Sequence, residues 1–518
     1  MLFGAICQGV FAKIKLQTSF WEGEAMEYYI GIDLGTSSVK LMLCDGDGRI
    51  QKTVTREYPV YYPQAGYSEQ SPLDFWSAIR EAIPELIQGI DGQLIRGIGV
   101  AGQMHGLVIL DEKDEVIRRA ILWNDGRTDK ETAYLNETVG KEALFDYTGN
   151  IAFAGFTAPK LLWMRKNEPE NFSRIRKIML PKDYVNYLLT GVHATDFSDA
   201  SGLLLLDVKN KCWSKEMLDL CGISEAQLPR LYESYEIIGT VLPSIAEELG
   251  ISESTIVVAG AGDNAAAAIG TGAVGDNSCN ISLGTSGTIF VSSDRFSGAA
   301  DKAIHSFCHA DGGFHLMGVV LSAASCNKWF CSEVLNTKDY TAEAERVDLT
   351  LLGKNEVFFL PYLMGERGPI NDTNATGMFI GLRPNTTRSQ LYLAVLEGVA
   401  FAIKHNLDEM EALGVSIKSS CLCGGGAKSR LWRQILANVL NIELRIPVTE
   451  EGPGYGAVIL TMVAAGHFPD VKTGANRLLQ IREIVKPEPA LAELYAEKYK
   501  KYRKIYPAVK ELYEEIKE

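Results

Sequence analysis

The chain has 518 residues, 46% apolar and 22% charged, with 51 basic against 65 acidic side chains and a formal net charge of −14. That length exceeds what one hydrophobic core supports, and the acidity argues against an extended phosphate backbone as partner, so nucleic acid is not expected. Every long apolar run is broken by a charge or by Asn and Gly within the roughly 20 residues a membrane span needs. The ten cysteines follow no disulfide or zinc framework, so the expectation is a cytoplasmic protein with reduced thiols and no membrane partner.

Residues 1–25 fit the rest poorly. Leu2 to Val10 is mildly apolar, but Lys13 and Lys15 follow that stretch rather than precede it, the reverse of a signal peptide. Met26 stands just before the first strand, and the fold is expected to begin there, with residues 1–25 outside it. From Tyr28 the pattern is strand, turn, strand (Val39 to Cys44), then the turn signal Asp45-Gly46-Asp47-Gly48 and a third extended run. A helix is predicted from Pro72 to Gln88, capped by Ser71, with Phe75, Trp76, Ile79, Ile83 and Leu86 on one face. Ile95 to Val100 is a short apolar strand ending at Gly102-Gln103-Met104-His105-Gly106, and Leu122-Trp123-Asn124-Asp125-Gly126-Arg127 has the same apolar entry and polar exit. Such exits are where an α/β sheet presents ligands.

A second series of strands and helices is predicted from Thr255, which puts the boundary at residues 240–255. It runs through Asn280-Ile281-Ser282-Leu283-Gly284-Thr285-Ser286-Gly287 to Cys421-Leu422-Cys423-Gly424-Gly425-Gly426 and a helix from Leu431 to Leu440. From Pro487 a C-terminal amphipathic helix carries Leu491, Tyr495, Tyr499 and Tyr502, a stripe that reads as packing.

The turn at 280–287 repeats Ile30-Gly31-Ile32-Asp33-Leu34-Gly35-Thr36-Ser37-Ser38. One Gly-Thr-Ser is ordinary turn composition, but two copies on equivalent strands make a two-sided clamp whose backbone N–H groups and hydroxyls suit phosphate. Copy one carries Asp33 where copy two carries Ser282. A single carboxylate suits a magnesium nucleotide, because two would repel the phosphates they hold.

Gly260-Ala261-Gly262-Asp263-Asn264-Ala265 superficially matches the dinucleotide fingerprint Gly-x-Gly-x-x-Ala. Asp263 would repel a pyrophosphate there, and no acidic residue lies between Asp276 and Asp294 to meet a ribose. A carboxylate at a helix start beside a glycine turn suits proton acceptance, with its helix position expected to lower its pKa; a plain N-cap is the alternative. Gly424-Gly425-Gly426-Ala427-Lys428-Ser429-Arg430 lets a flat ligand lie on bare backbone, or is a simple strand-to-helix turn; it is no Walker A motif, since Ala427 precedes Lys428-Ser429. His305, Cys308 and His309 lack a second ligand pair at zinc spacing.

The two Gly-Thr-Ser copies and the Gly-Gly-Gly-Ala turn resemble the phosphate and adenosine motifs of the actin/hexokinase/Hsp70 ATPase fold. Phe156-Thr157-Ala158-Pro159-Lys160-Leu161-Leu162-Trp163, and Gly377-Met378-Phe379-Ile380-Gly381-Leu382 leading to Ala394-Val395-Leu396-Glu397-Gly398, resemble the two signatures of the FGGY carbohydrate kinases. Within that family, Gly102 to Gly106, Trp123 to Arg127, Pro181-Lys182-Asp183-Tyr184 and His305 to Ala310 are similar to members acting on D-xylulose. The resemblance covers nearly everything from Met26 onward. It implies an α/β, two-domain fold of ribonuclease H-like repeats with an interdomain cleft: an N-terminal FGGY domain at 26–250, a C-terminal one at 251–485, and a C-terminal helix at 486–518.

It also implies ATP-dependent phosphorylation of D-xylulose to D-xylulose 5-phosphate, with ATP and Mg²⁺ as cofactors and a homodimer as an open option. Asp263 matches the family's catalytic base and Asp33 the aspartate that organises Mg-ATP, its hold on the metal being indirect. Met104 and His105, with Asp263, match the sugar contacts, a core histidine being the alternative for His105. Thr36, Ser37, Gly284, Thr285, Gly425, Gly426 and Ala427 match nucleotide contacts. Gly260-Ala261-Gly262 departs modestly from three glycines. Other FGGY acceptors (glycerol, L-ribulose, gluconate, L-fuculose) and a non-catalytic ATPase of the same superfold remain as alternatives.

Overall fold

The computed structural model describes residues 27–449 and 451–517; the leader and the Met26 start expected from sequence lie outside the described residues. Seven strands build a first sheet: β1 (Tyr28–Leu34), β2 (Ser38–Asp45), β3 (Ile50–Glu57), β4 (Ile95–Gly102), β5 (Ile237–Thr240), β6 (Ile256–Val258) and β7 (Ala261–Gly262). Their order is β5-β6-β4-β1-β2-β3, with β7 continuing beside the end of β4. A second sheet holds β8 (Cys279–Leu283), β9 (Gly287–Ser293), β10 (His305–Cys308), β11 (Phe314–Val320), β12 (Ser419–Cys423), β13 (Glu443–Pro447) and β14 (Ile481–Val485), ordered β10-β11-β9-β8-β12-β13-β14.

The two sheets repeat one plan. In each, a hairpin (β1–β2, β8–β9) lies beside a strand parallel to its first member (β4, β12), followed by a further parallel strand (β6, β13) and an antiparallel edge (β5, β14). Here the boundary expected at 240–255 needs correction. Ile256 and Val257 pair with Gly97 and Ile98 of β4, so the chain leaves the first sheet only after Gly262. The physical reason is burial: Ile98 is inaccessible and needs an apolar strand on its open side, as Leu422 of β12 does in the second sheet.

Helix α1 (Pro72–Leu86) packs on β2 and β3 through Phe75, Ile79, Ile83 and Leu86, as its periodicity predicts. Ser71 precedes it but makes no side-chain cap; Pro72, which has no N–H to satisfy, does that work at the first position. The C-terminal stripe forms the helix Pro489–Tyr502, with Tyr495, Tyr499 and Tyr502 buried against the second sheet's core, followed by another helix, Ile505–Lys517. No described helix is long and apolar enough to cross a membrane.

Two helices tie the sheets together. Helix α2 (Asp263–Gly270) leaves β7 and leads into the second sheet. Helix α3 (Gly452–Ala464) lies between β13 and β14 in sequence yet packs on β1 and β4 of the first sheet and along α2. Glycine permits this approach: a Cβ on Gly31 would stand 2.2 Å from the Gly454 carbonyl oxygen, and one on Gly456 1.9 Å from that of Ala266. The sheets also meet at β10, where Asn150 pairs with both backbone groups of Ser306, accepting its N–H at 2.9 Å and donating to its carbonyl at 2.8 Å. Ser201 Oγ accepts the Cys308 N–H at 3.0 Å, and Phe307 and Cys308 sit in one apolar cluster with Ile151 and Phe156.

Because the Gly31 contact is backbone against backbone, Gly31→Ala is expected to cost ~1–3 kcal/mol of stability, as overpacked cores do. Urea unfolding of the purified variant checks this, and an unchanged midpoint would mean that α3 has room to retreat.

Candidate active site

The hairpin registers make the two Gly-Thr-Ser turns superimposable in kind. Asp33 faces Lys40 one residue before Leu34 closes β1, and Ser282 faces Thr288 one residue before Leu283 closes β8. Thr36 is partly buried and Ser37 exposed in the first turn; Gly284 is partly buried and Thr285 exposed in the second. The second turn is braced from behind, its Thr285 and Gly284 carbonyls accepting the Ala323 and Ala324 N–H groups at 3.0 and 2.9 Å. Against it stands the glycine turn after β12. Gly424 has φ +89°, and a Cβ there would lie 2.7 Å from the Leu283 carbonyl carbon. A Cβ on Gly426 would strike the Leu283 side chain, whereas Gly425 faces open space and Ala427 is buried.

A cavity of about 290 Å³ joins these parts, lined among others by Asp263, Asn264, Ser282, Thr288, Gly424 and Gly452. It therefore brings together the start of α2, the strand ends that flank the second turn, Gly424 of the glycine turn and the start of α3, whereas Thr36, Ser37, Gly284, Thr285, Gly425, Gly426 and Ala427 are not among its lining residues. Asp33 adjoins the same helix start, its Cβ 3.6 Å from where a Cβ on Gly454 would be. Lys40, opposite Asp33, is paired with Glu451 at the start of α3. Nothing in the sequence pattern marks that pair.

Burial governs the charges. Asp263 is lifted to about 6 by desolvation, against the Asn264 N–H (2.7 Å) and side-chain amide (2.8 Å) that favour its ionised form. The expected lowering by the helix terminus is thus overturned: removal from water outweighs the dipole. Asp33 is lifted to about 7, first by burial and then by the negative charge of Asp263, with Lys40 opposing and Glu451 adding.

Met104 and His105 lie beside that cavity rather than among its lining residues. The Met104 side chain would stand 3.1 Å from a Cβ on Gly262, the residue before Asp263. His105 occupies the left-handed region at φ 69°, and its carbonyl accepts Thr157 Oγ1 at 3.0 Å and Lys160 Nζ at 2.6 Å. The motif Phe156 to Trp163 thus holds the His105 loop in place. Its ring stacks on Phe156 at 4.7 Å, and Nδ1 donates to the Gly202 carbonyl at 2.8 Å. Burial, with the cations of Lys160 and Arg367, pushes its pKa to about 3, so the imidazole is neutral and Nε2 remains an acceptor. Trp123 Nε1 donates to Thr36 Oγ1 at 3.0 Å, tying the 122–127 loop to the first turn.

Comparison with known proteins agrees with this architecture. The family model for the FGGY family of carbohydrate kinases matches residues 28–270 with its N-terminal domain and 279–465 with its C-terminal domain, dividing the chain where it passes between the sheets. The xylulose kinase of Escherichia coli strain K12 is 43% identical over 441 residues, 84% of this chain and 90% of that one. That of Klebsiella pneumoniae is 38% identical over 93% of this chain and 99% of its own. A crystal structure described as a xyloylose kinase from Brucella ovis superposes with a TM-score of 0.89 at 40% identity, covering 94% of this chain and all of that one. A gluconate kinase from Lactobacillus acidophilus also reaches 0.89, at 28% identity, covering 95% and 100%.

The raised carboxyls carry a consequence for stability. Both folded-state values lie above the ordinary 3.8, so their stabilising contribution is complete below about pH 4 and is lost as pH rises through 6 and 7. Asp33→Asn is expected to raise the urea midpoint of the unliganded protein near pH 8, to raise it less near pH 5, and to leave it almost unchanged below about pH 4. A variant less stable than the parent near pH 8 would reverse that sign.

Proposed function

This chain belongs to the FGGY family of carbohydrate kinases, and from that premise we propose that it transfers the γ-phosphoryl group of ATP to D-xylulose, giving D-xylulose 5-phosphate and ADP. The observation that carries the reading is the cavity at which a partly buried aspartate, Asp263, meets Ser282 and Thr288, which flank one Gly-Thr-Ser turn, and Gly424 of the glycine turn. The choice of sugar rests on 33–43% identity to curated xylulose kinases over most of the chain. The fold alone does not decide it, since the gluconate kinase superposes as well.

Thr36 and Ser37 of one turn and Gly284 and Thr285 of the other donate to the phosphate oxygens. Gly425, Gly426 and Ala427 lie against the adenosine, where Gly425 leaves open space. Met104 and His105, with Asp263, hold the sugar, the neutral His105 accepting a hydrogen bond from a sugar hydroxyl at Nε2. Asp263 then takes the proton of the terminal hydroxyl as its oxygen bonds to the γ-phosphorus and ADP departs. A carboxyl with a value of about 6 is ionised near pH 7.5 yet more basic than a solvated aspartate, which suits a general base.

The donor set near Asp33 fits Mg²⁺: hard carboxylate oxygens, with the charge of Asp263 raising the proton affinity of Asp33, and the neighbouring Lys40 ammonium already paired with Glu451. Asp33 would hold the ion, directly or through water, and the ion would neutralise phosphate charge in a reaction that depends on positioning more than on covalent chemistry.

An ADP-release assay against a panel of ketoses and polyols tests the substrate; preference for gluconate or glycerol would overturn it. Asp263→Ala is expected to bind both ligands while kcat falls roughly 10²–10⁴-fold, and near-parental kcat would refute the base. His105→Ala is expected to raise KM for D-xylulose by a factor equivalent to about 1–3 kcal/mol with KM for ATP unchanged. Equal losses for both substrates would mark His105 as packing only.

A further inference from the structure

A dry ionic cluster lies behind the turn that carries Asp263. Lys182 and Asp183, from the helix Pro181–Thr190, meet Asp196, which caps the short helix Phe197–Ala200, and Asp199 within it, and none of the four side chains is more than 1% exposed. Lys182 Nζ is 2.5 Å from Asp183, 2.9 Å from Asp196 and 3.8 Å from Asp199. Three carboxyls thus share one ammonium. Burial lifts Asp183 and Asp199 above the ordinary carboxylate range, and neither oxygen of Asp199 has a hydrogen-bond partner among the described residues. Ion clusters withdrawn from water cost stability unless well paired, and a costly arrangement of this kind is expected where function requires it.

The cluster is wired to the active-site turn. Asp196 Oδ2 accepts the Ser198 N–H (2.8 Å), the Ser198 hydroxyl (2.5 Å) and the Ser234 hydroxyl (2.7 Å). With its proton committed to that carboxylate, Ser198 Oγ turns a lone pair to the Gly262 N–H at 3.2 Å. Gly262 is the residue that caps α2 immediately before Asp263. The same turn is held at Gly260, whose N–H donates to the Ser234 carbonyl at 3.0 Å, and at Ala259, whose carbonyl accepts Asn186 Nδ2 at 2.9 Å. A Cβ on Gly102, beside Gly262 in the sheet, would lie 2.7 Å from the Lys182 Cβ, so the cluster also sets the height of the strands on which the turn rests.

We propose that Asp196, acting through Ser198, is a positioning residue for Asp263: the Asp196–Ser198–Gly262 hydrogen-bond chain fixes the peptide that aims the proton acceptor at the sugar hydroxyl. This rests on the reading of Asp263 as that acceptor. Ser198 and Ser234 donate to the same carboxylate oxygen, but only Ser198 reaches Gly262, so the two hydroxyls separate positioning from general support.

The test compares Ser198→Ala, Ser234→Ala, Ser198→Thr and Asp263→Ala in the full-length protein, by steady-state ATP and D-xylulose kinetics and by urea unfolding. Ser198→Ala and Ser234→Ala are expected to shift the unfolding midpoint by similar amounts. Ser198→Ala alone is expected to lower kcat at least tenfold, with both KM values within twofold, and Ser198→Thr to restore kcat. If Ser198→Ala keeps kcat within twofold, or Ser234→Ala loses as much, the positioning role is overturned while an inactive Asp263→Ala leaves the base standing. If Asp263→Ala itself turns over normally, the base falls and the positioning role falls with it.

Discussion

The constraint on which the rest depends is the backbone contact between α3 and the first sheet. A helix whose place in the chain is between two strands of the second sheet is pressed onto β1, β4 and α2, at distances that admit no side chain at Gly31 or Gly456. Because α3 begins where it does, Glu451 reaches Lys40, Gly454 reaches Asp33, and Gly452 closes the cavity over Asp263. Residues from three distant parts of the chain are placed by one interface, and its glycines have no freedom to change without moving the carboxylates.

Crowding those partly buried carboxylates at one helix start opposes stability and serves chemistry through the same effect. Desolvation raises both Asp33 and Asp263, and Asp263 raises Asp33 further. A polyphosphate with its cation would bring a compensating positive charge to one of them and leave the other to act as base. His105 is tuned the opposite way, kept neutral by burial and by two neighbouring cations, which suits hydrogen bonding to hydroxyls rather than pairing with an anion.

The local part of this was legible in the chain. Glycine and hydroxyl residues after an apolar strand announce a turn whatever surrounds them, so both Gly-Thr-Ser copies, the glycine turn after Cys423 and the asymmetry of Asp33 against Ser282 could be read directly. What escaped is long-range. Ile256 to Val258 has the same apolar pattern whichever sheet it enters, so the boundary was set too early. Lys40 and Glu451 are 411 residues apart, and no local rule joins them. The direction of the Asp263 shift depends on burial, which a helix-start rule does not contain. Lys182 and Asp183 stood out as part of a motif, but their partners Asp196 and Asp199 had no reason to be singled out before folding brought the four together.

The seam at β10 bears on how the molecule can move. Asn150 substitutes for a strand, satisfying both the N–H and the carbonyl of Ser306, and Ser201 takes the Cys308 N–H, so this edge of the second sheet is fastened to the first half of the chain. The α2–α3 contact fastens it a second time, elsewhere. Two fixed points define a line, and a body held at both keeps one easy motion, rotation about that line. The turns at Thr36 and Thr285 would then approach and part along a single arc, like the jaws of pliers.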